Sequence, residues 1–293
     1  TLGRHDIAVV SNPEFLREGT AVRDFLAPDR VVIGSDDPGA SVRVAALYEC
    51  LGAPVVITDP ATAETVKYAA NAFLATKLSF VNAIAAVCEA VGADVDDVMT
   101  SLGHDHRIGP DFLQPGPGWG GSCFPKDTQA LLQISEEAGY PFRFLEGVLE
   151  VNAQQIERVV AKVESAVGGS LDAANVAVWG LTFKANTDDL RESPSLAVVR
   201  GLLSRGARIR AWDPTVEASR PPIPDDVEVC ADPYVACQDA DAVVVLTEWA
   251  ELEEVDAVKV AELVRRRAVV DARNILDRDA WRLAGFDHQG IGK

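Results

Sequence analysis

From residue 62 to residue 91 the chain contains neither proline nor glycine, the two strongest local interrupters of regular structure. Apolar side chains recur at Val66, Ala70, Phe73, Leu74, Val81, Ile84, Val87, Cys88 and Val91, which is helical spacing. A run of this length makes a rod of roughly 45 Å. Its apolar residues fall on more than one side, so one domain's surface cannot cover them all. Such a helix is expected to serve as a spine between domains or as a subunit interface. Thr62 can cap its start.

The flanks read as α/β. Before the helix, β-branched runs at 6–11, 30–34 and 54–58 are expected strands, with a helix over 41–50. After it come short helices at 94–102 and 128–138, a Gly/Pro-rich loop over 114–123, and a helix over 141–167. Gly168-Gly169-Ser170 then opens a second α/β region, with strands at 175–179, 207–212, 227–230, 242–247 and, last, 268–271. Ser193-Pro194 starts a helix reaching about 205, with proline at its permitted first-turn position. Strands that alternate with helices predict a mostly parallel, doubly wound sheet. The expected division is 1–60, 61–167 and 168–293.

Composition narrows the function. The 293 residues carry a formal net charge of −18, which argues against nucleic acid and anionic membranes as partners. A phosphate ligand therefore needs local cations. No run is expected to be long and apolar enough for a membrane span, so the chain is read as soluble. Five scattered cysteines lack metal-ligand spacing, which points to a reducing cytoplasm and no metal. No signal peptide is expected, the first residue is Thr1 and not Met, and the chain is read as the downstream part of something longer.

The densest chemistry is Gly120-Gly121-Ser122-Cys123-Phe124-Pro125-Lys126-Asp127. Glycines let a backbone approach a ligand closely. A helix beginning near Cys123 would set the thiol at a helix N-terminus, where a thiolate is favoured. Lys126 adds positive charge, and Asp127 follows one turn later. Cys50, Cys88, Cys230 and Cys237 are read as small buried hydrophobes. Lys67 and Asn71, spaced i, i+4, can both donate to an oxyanion; a solvated helix face is the alternative. Glu14 and Glu18 lie beyond an expected strand end, where one can act as a base toward water, or simply carry charge on a loop. Phe183-Lys184, Arg191 and Arg273 follow strand ends in the second α/β region, and cations there suit an anionic, phosphate-bearing ligand. Gly180 stands where a dinucleotide fold has its first glycine, but Gly-x-Gly-x-x-Gly is absent. That region is therefore expected to be Rossmann-like without binding a dinucleotide in the usual way. Asp213 either caps a ribose or ends its strand in a turn.

Several long motifs then occur in one order: NPEFLREGTAV at 12–22, PDRVVIG at 28–34, KYAANAF at 67–73, RIG at 107–109, GGSCFPKDT at 120–128, TFKANTDDLRESP at 182–194 and DARN at 271–274. Together they resemble the UDP-glucose 6-dehydrogenase group of the nucleotide-sugar dehydrogenases, across nearly the whole chain. The resemblance implies an N-terminal Rossmann-type domain for NAD, a long central helix with a helical dimerisation domain, and a C-terminal Rossmann-like domain for a UDP-sugar. It implies oxidation of a sugar C6 alcohol to a carboxylate with two NAD. Cys123 would form a thiohemiacetal and then a thioester. Lys67 and Asn71 would hold the oxyanions, Asp127 would assist proton transfer, and Glu14, supported by Glu18, would activate water. Phe15, Leu16, Arg107, Phe112, Gln114, Trp119, Gly120, Phe183, Lys184 and Arg273 would contact the nucleotide sugar, with Arg107 or Arg273 reaching in from a neighbouring subunit. Glu18, Lys126 and Arg191 would contact the cofactor. Gln114 stands where some relatives have Lys or Asn.

The family's opening strand and glycine fingerprint do not precede NPEFLREGTAV, and neither does a threonine it uses in the first oxidation. Residues 1–60 are therefore read as the remnant of an NAD-binding domain that is mostly missing, in a chain that binds a UDP-sugar as a dimer but transfers no hydride. The rival readings are a GDP-mannose enzyme, a UDP-N-acetylmannosamine enzyme, a non-catalytic nucleotide-sugar-binding or assembly module, and a cysteine hydrolase using His104 or His106.

Overall fold

The computed structural model describes residues 7–293. They divide into two compact units, Thr1–Phe73 and Leu74–Lys293.

The first unit holds α1 (Ala21–Leu26), β1 (Val31–Gly34), α2 (Pro38–Tyr48), β2 (Val55–Thr58) and the opening turns of α3 (Pro60–Val91). β1 and β2 pair in parallel, Val31 opposite Val55. The strand expected at 6–11 does not form. Asp6 lies outside the described residues, and Ser11 makes only an isolated antiparallel bridge to Gly34. The start of α3 also differs from expectation. Asp59, not Thr62, is the capping group: its carboxylate accepts from the Thr62 N–H at 2.9 Å and the Thr62 hydroxyl at 2.6 Å. Pro60 then occupies the first turn, where its missing N–H costs nothing. Gly34 is required here, because a Cβ on it would stand 2.6 Å from the Ala63 Cβ.

The second unit contains the rest of α3, then α4 (Val95–Gly103), α5 (Phe124–Glu137) and α6 (Arg143–Ala166). A Rossmann-like region follows: β3 (Asn175–Trp179), α7 (Pro194–Ser204), β4 (Arg208–Trp212), β5 (Val227–Val229), α8 (Pro233–Ala236), β6 (Ala242–Val245), α9 (Ala257–Leu263), β7 (Ala268–Asp271), α10 (Arg278–Leu283) and β8 (Asp287–Gly290). The sheet is wholly parallel, in the order β5-β4-β3-β6-β7-β8. Alternate strand residues feed two cores. Val176, Val178, Val244 and Val270 pack in one with Val159, Val199 and Leu202. Ala177, Trp179, Val243 and Val269 pack in the other with Trp249 and Trp281. Burial on both faces is why these strands read as continuous apolar runs.

Two expectations change. β7 is not the last strand: Asp287-His288-Gln289-Gly290 adds an edge strand, although it lacks β-branched residues. Val81, Ala85, Cys88, Val95 and Met99, on α3 and α4, share a core with the sheet. And Pro60–Val91 is in fact long and apolar enough, by length and composition alone, to cross a membrane; a third of its most apolar window (33%) is buried.

Candidate active site

In the first unit the loop after Ser11 is anchored by Asn12. Its amide donates to the Val32 carbonyl at 2.8 Å and accepts from the Tyr48 hydroxyl at 2.6 Å. Glu14 then folds over its own turn, one carboxylate oxygen accepting from the Leu16 N–H at 2.7 Å. Lys67 meets it from α3, donating to Glu14 Oε1 at 2.8 Å and to the Glu14 carbonyl at 2.7 Å. The Arg30 guanidinium lies 3.6 Å from the Phe15 ring centroid, and the Lys67 ammonium is 5.7 Å from it. Asn71 is buried, Glu18 half-buried and Leu16 exposed. The sequence offered Lys67 and Glu14 separately; the structure pairs them. Arg17 grips Asp24 at 2.7 Å, and that hydrogen bond holds the Asp24 carboxyl well below the usual carboxylate range.

In the second unit, Cys123 is the N-cap residue of α5, with proline in the first turn. The Asp127 N–H donates to the Cys123 carbonyl at 3.0 Å, one turn on. The Asp127 side chain is buried and accepts from Lys126 Nζ at 2.6 Å. Ser122 Oγ lies 3.6 Å from the thiol sulfur. Glycine is required before the thiol. A Cβ on Gly120 would stand 1.9 Å from the Glu192 carbonyl oxygen, and one on Gly121, at φ +81°, would stand 2.8 Å from the Phe183 ring. The cysteine loop therefore packs directly on the loop that follows β3.

Phe183 is held by its backbone, its N–H donating to the Asp189 carbonyl at 3.2 Å and its carbonyl accepting from Arg273 at 3.3 Å. Arg273 also donates to the Leu246 carbonyl at 2.8 Å and faces the Glu248 carboxylate at 3.1 Å. Its guanidinium lies 3.1 Å from where a Gly116 Cβ would be. The turn that carries it is ordered by Asp271, which accepts from the N–H groups of Arg273 at 3.0 Å and Leu276 at 2.8 Å. Burial pushes the Asp271 carboxyl up, against those hydrogen bonds. Lys184 Nζ sits 5.4 Å from the Phe183 ring.

Other expected site residues make contacts of their own. Arg107 is on an exposed turn, with Nε donating to Asp105 at 2.9 Å; that bond holds the Asp105 carboxyl down and the guanidinium up. Arg191 makes a fork with Asp189, at 2.8 Å for the closer ion-pair contact. Gln114 is exposed, and Phe112, at φ +60°, tilts against Phe124. The Trp119 indole is buried and donates to Ser79 Oγ at 2.9 Å. All five cysteines are free thiols, but Cys50 is exposed rather than buried. Burial pushes the thiols of Cys230 and Cys237 up, which keeps them protonated.

The structure also decides the alternatives left open for Asp213. One carboxylate oxygen accepts from Leu181 N–H (2.8 Å), Thr182 N–H (3.1 Å), Thr182 hydroxyl (3.1 Å) and Trp249 Nε1 (3.1 Å); the other accepts from the N–H and hydroxyl of Thr215. Nothing is left for a ribose. Thr182 is held on its other side too, its carbonyl accepting from Ser195 at 3.2 Å and Thr247 at 2.8 Å. A buried triad of Asp213, Ser195 and Thr247 thus fixes the residue before Phe183. Only the position of Asp213 at a strand end hinted at it.

Known proteins match the chain in three consecutive stretches. The NAD binding domain of the UDP-glucose/GDP-mannose dehydrogenase family matches residues 1–52, its central domain residues 61–154, and its UDP binding domain residues 177–278. The UDP-glucose 6-dehydrogenase of Rhizobium meliloti (strain 1021) is 44% identical over 98% of this chain and 67% of its own length. The chain belongs to the UDP-glucose/GDP-mannose dehydrogenase family. UDP-glucose 6-dehydrogenase TuaD of Bacillus subtilis (strain 168) is 45% identical over 99% of the chain, which spans 63% of that relative's length. Among solved structures, a UDP-glucose dehydrogenase from the hyperthermophilic archaeon Pyrobaculum islandicum superposes with a TM-score of 0.89 at 39% identity, covering 97% of this chain and 63% of that one.

Membership in this dehydrogenase family corrects one expectation. Residues 1–52 match the NAD binding domain, so that domain is present and not lacking. The glycine fingerprint is a local mark and proved the wrong criterion. The NPEFLREG loop and the parallel β1–β2 pair lie in or beside the matched stretch without it.

Proposed function

We propose that the protein oxidises the C6 alcohol of UDP-glucose to the carboxylate of UDP-glucuronate, as a soluble, cytoplasmic, NAD-dependent enzyme. The observation that carries this reading is Cys123 at the N-cap of α5, on a glycine loop with no room for side chains, with buried Asp127 one turn on. That placement suits a thiol that acts as a nucleophile.

NAD, when bound, accepts the hydride in each oxidation. The donor set suits it in its chemistry: Lys126 and Arg191, each already paired with an aspartate, are cations that suit a pyrophosphate, and Glu18 suits a ribose hydroxyl. The chain's own residues do the rest. Lys67 and Asn71 hold the C6 oxygen as its proton leaves and the alcohol becomes an aldehyde. The Cys123 sulfur adds to the aldehyde carbon; the carbonyl pair moves to oxygen, which takes a proton, while Asp127 relays the thiol proton through water. Loss of a second hydride and of the hydroxyl proton leaves a thioester. Water, giving its proton toward Glu14, attacks that carbonyl; the C–S bond breaks, the carboxylate departs, and the thiol is restored.

Phe183, Lys184 and Arg273 are assigned to the nucleotide sugar, with Arg107 serving a neighbouring copy. Homodimerisation through α3 is supported by Phe80, Val87 and Val91, which recur along its outer side at 52%, 53% and 71% exposure. Light scattering of the purified chain tests this, and a monomer would refute it. Calorimetry tests the substrate: UDP-glucose is expected to bind more tightly than GDP-mannose or UDP-N-acetylmannosamine, and a preference for either of those would overturn the assignment.

A further inference from the structure

The loop over 114–121 poses an accounting problem. It forms no helix or strand, yet Pro115, Gly116, Pro117, Trp119 and Gly121 are buried. A buried loop has no strand partner and little water, so its N–H and C=O groups must be met by side chains.

Two helices meet them with pairs of residues three apart, the spacing that puts side chains on one face. On α3 the pair is Ser79 and Asn82; on α6 it is Asn152 and Gln155. Gly116 is held from both helices: its N–H donates to Asn82 at 2.9 Å, and its carbonyl accepts from Gln155 at 2.8 Å. Trp119 is held at three points. Its indole donates to Ser79. Its N–H donates to Asn152 Oδ1 at 2.8 Å, and its carbonyl accepts from Asn152 Nδ2 at 2.9 Å. One amide thus brackets both backbone groups of one residue, as a neighbouring strand would. The fit is close, since a Cβ on Gly118 would stand 3.0 Å from Asn152 Oδ1.

Trp119 lies four residues before Cys123. Between them, Gly121 donates to the Glu192 carbonyl at 3.3 Å. A displacement at Trp119 is therefore passed to the thiol through a short tether with little slack.

We propose that Asn152 is a positioning residue for Cys123: by bracketing the Trp119 backbone it fixes the loop that presents the thiol. This rests on the reading of Cys123 as the nucleophile. Asn152 touches no reacting atom, and its contribution is to hold the thiol within reach of the aldehyde carbon, where misplacement of about 1 Å can cost on the order of 100-fold.

The test uses the full chain with Asn152→Leu, which keeps the branched shape and removes both hydrogen bonds, and Asn152→Ala as a second variant. Cys123 alkylation by iodoacetamide is read by peptide mass spectrometry against exposed Cys50 as internal standard, alongside amide exchange at Trp119. Cys123 labelling relative to Cys50 is expected to rise at least threefold, and exchange at Trp119 at least tenfold, with α6 exchange and nucleotide-sugar affinity within threefold of wild type. Unchanged labelling and exchange in a folded variant would overturn the bracket and leave the nucleophile reading intact. Uronate formation by a Cys123→Ala variant would overturn the nucleophile reading whatever the labelling shows. Should one substitution fail to fold, the other supplies the same two readouts; should both unfold with loss of α6 protection, Asn152 is a general structural residue and the proposal fails.

Discussion

The Glu14 loop and the Cys123 loop are both irregular segments carrying a candidate reactive group, and they are held by different means. Beyond the Asn12 anchor, the restraints around Glu14 are charges near solvent: Lys67 on the carboxylate, Arg30 on the Phe15 ring, Arg17 on Asp24. Around Cys123 they are neutral and buried: side-chain amides on backbone groups, and glycines with no room for a Cβ. Charges near water adapt as ligands and protons come and go, and they contribute little to stability. Buried neutral hydrogen bonds hold a fixed geometry and are costly to break. A base that activates water suits the first arrangement; a nucleophile that must meet one carbon suits the second.

The largest effect tests the thiol itself. Cys123→Ala should remove uronate formation altogether while UDP-glucose affinity stays within about threefold, because only the second oxidation needs a covalent adduct. Chromatography of the products with parallel calorimetry checks both halves. Next, Lys67→Ala should lower turnover by about 10²–10³, the scale for losing one oxyanion donor. A loss under about tenfold in steady-state kinetics would make Lys67 only the partner of Glu14. On the buried side, Gly120→Ala should destabilise the second unit by about 2–4 kcal/mol, since its Cβ has nowhere to go without moving backbone; denaturant titration reads this. The smallest effect sharpens the contrast. Arg17→Ala removes an exposed ion pair and should leave the melting midpoint within about 2 °C. A larger drop in a thermal scan would mean the charged loop is also structural.

Much of this was legible from local chemistry. The unbroken apolar period gave α3, Ser193-Pro194 marked the start of α7, and β-branched runs marked the sheet's central strands. A helix start near Cys123 was expected, and α5 begins there. Other features depend on partners distant in sequence. β8 has no strand composition of its own and forms because β7 offers an edge. The run at 6–11 has strand composition but gains only one bridge. Asn152 holds Trp119 across 33 residues and Asp213 holds Thr182 across 31, and no periodicity reveals such pairs. The match of residues 1–52 to the NAD binding domain comes without the family's opening strand motif and glycine fingerprint, so those local marks do not reveal it.

The most direct test of a thiol presented for covalent catalysis is peptide mass spectrometry on a Glu14→Gln variant, in which thioester hydrolysis is slowed. Incubated with NAD and UDP-glucose and quenched in acid, it should carry a single UDP-glucuronyl adduct, joined as a thioester through C6, on the Cys123 peptide, released by hydroxylamine. An adduct on Cys50, or none while uronate still forms, would contradict the account.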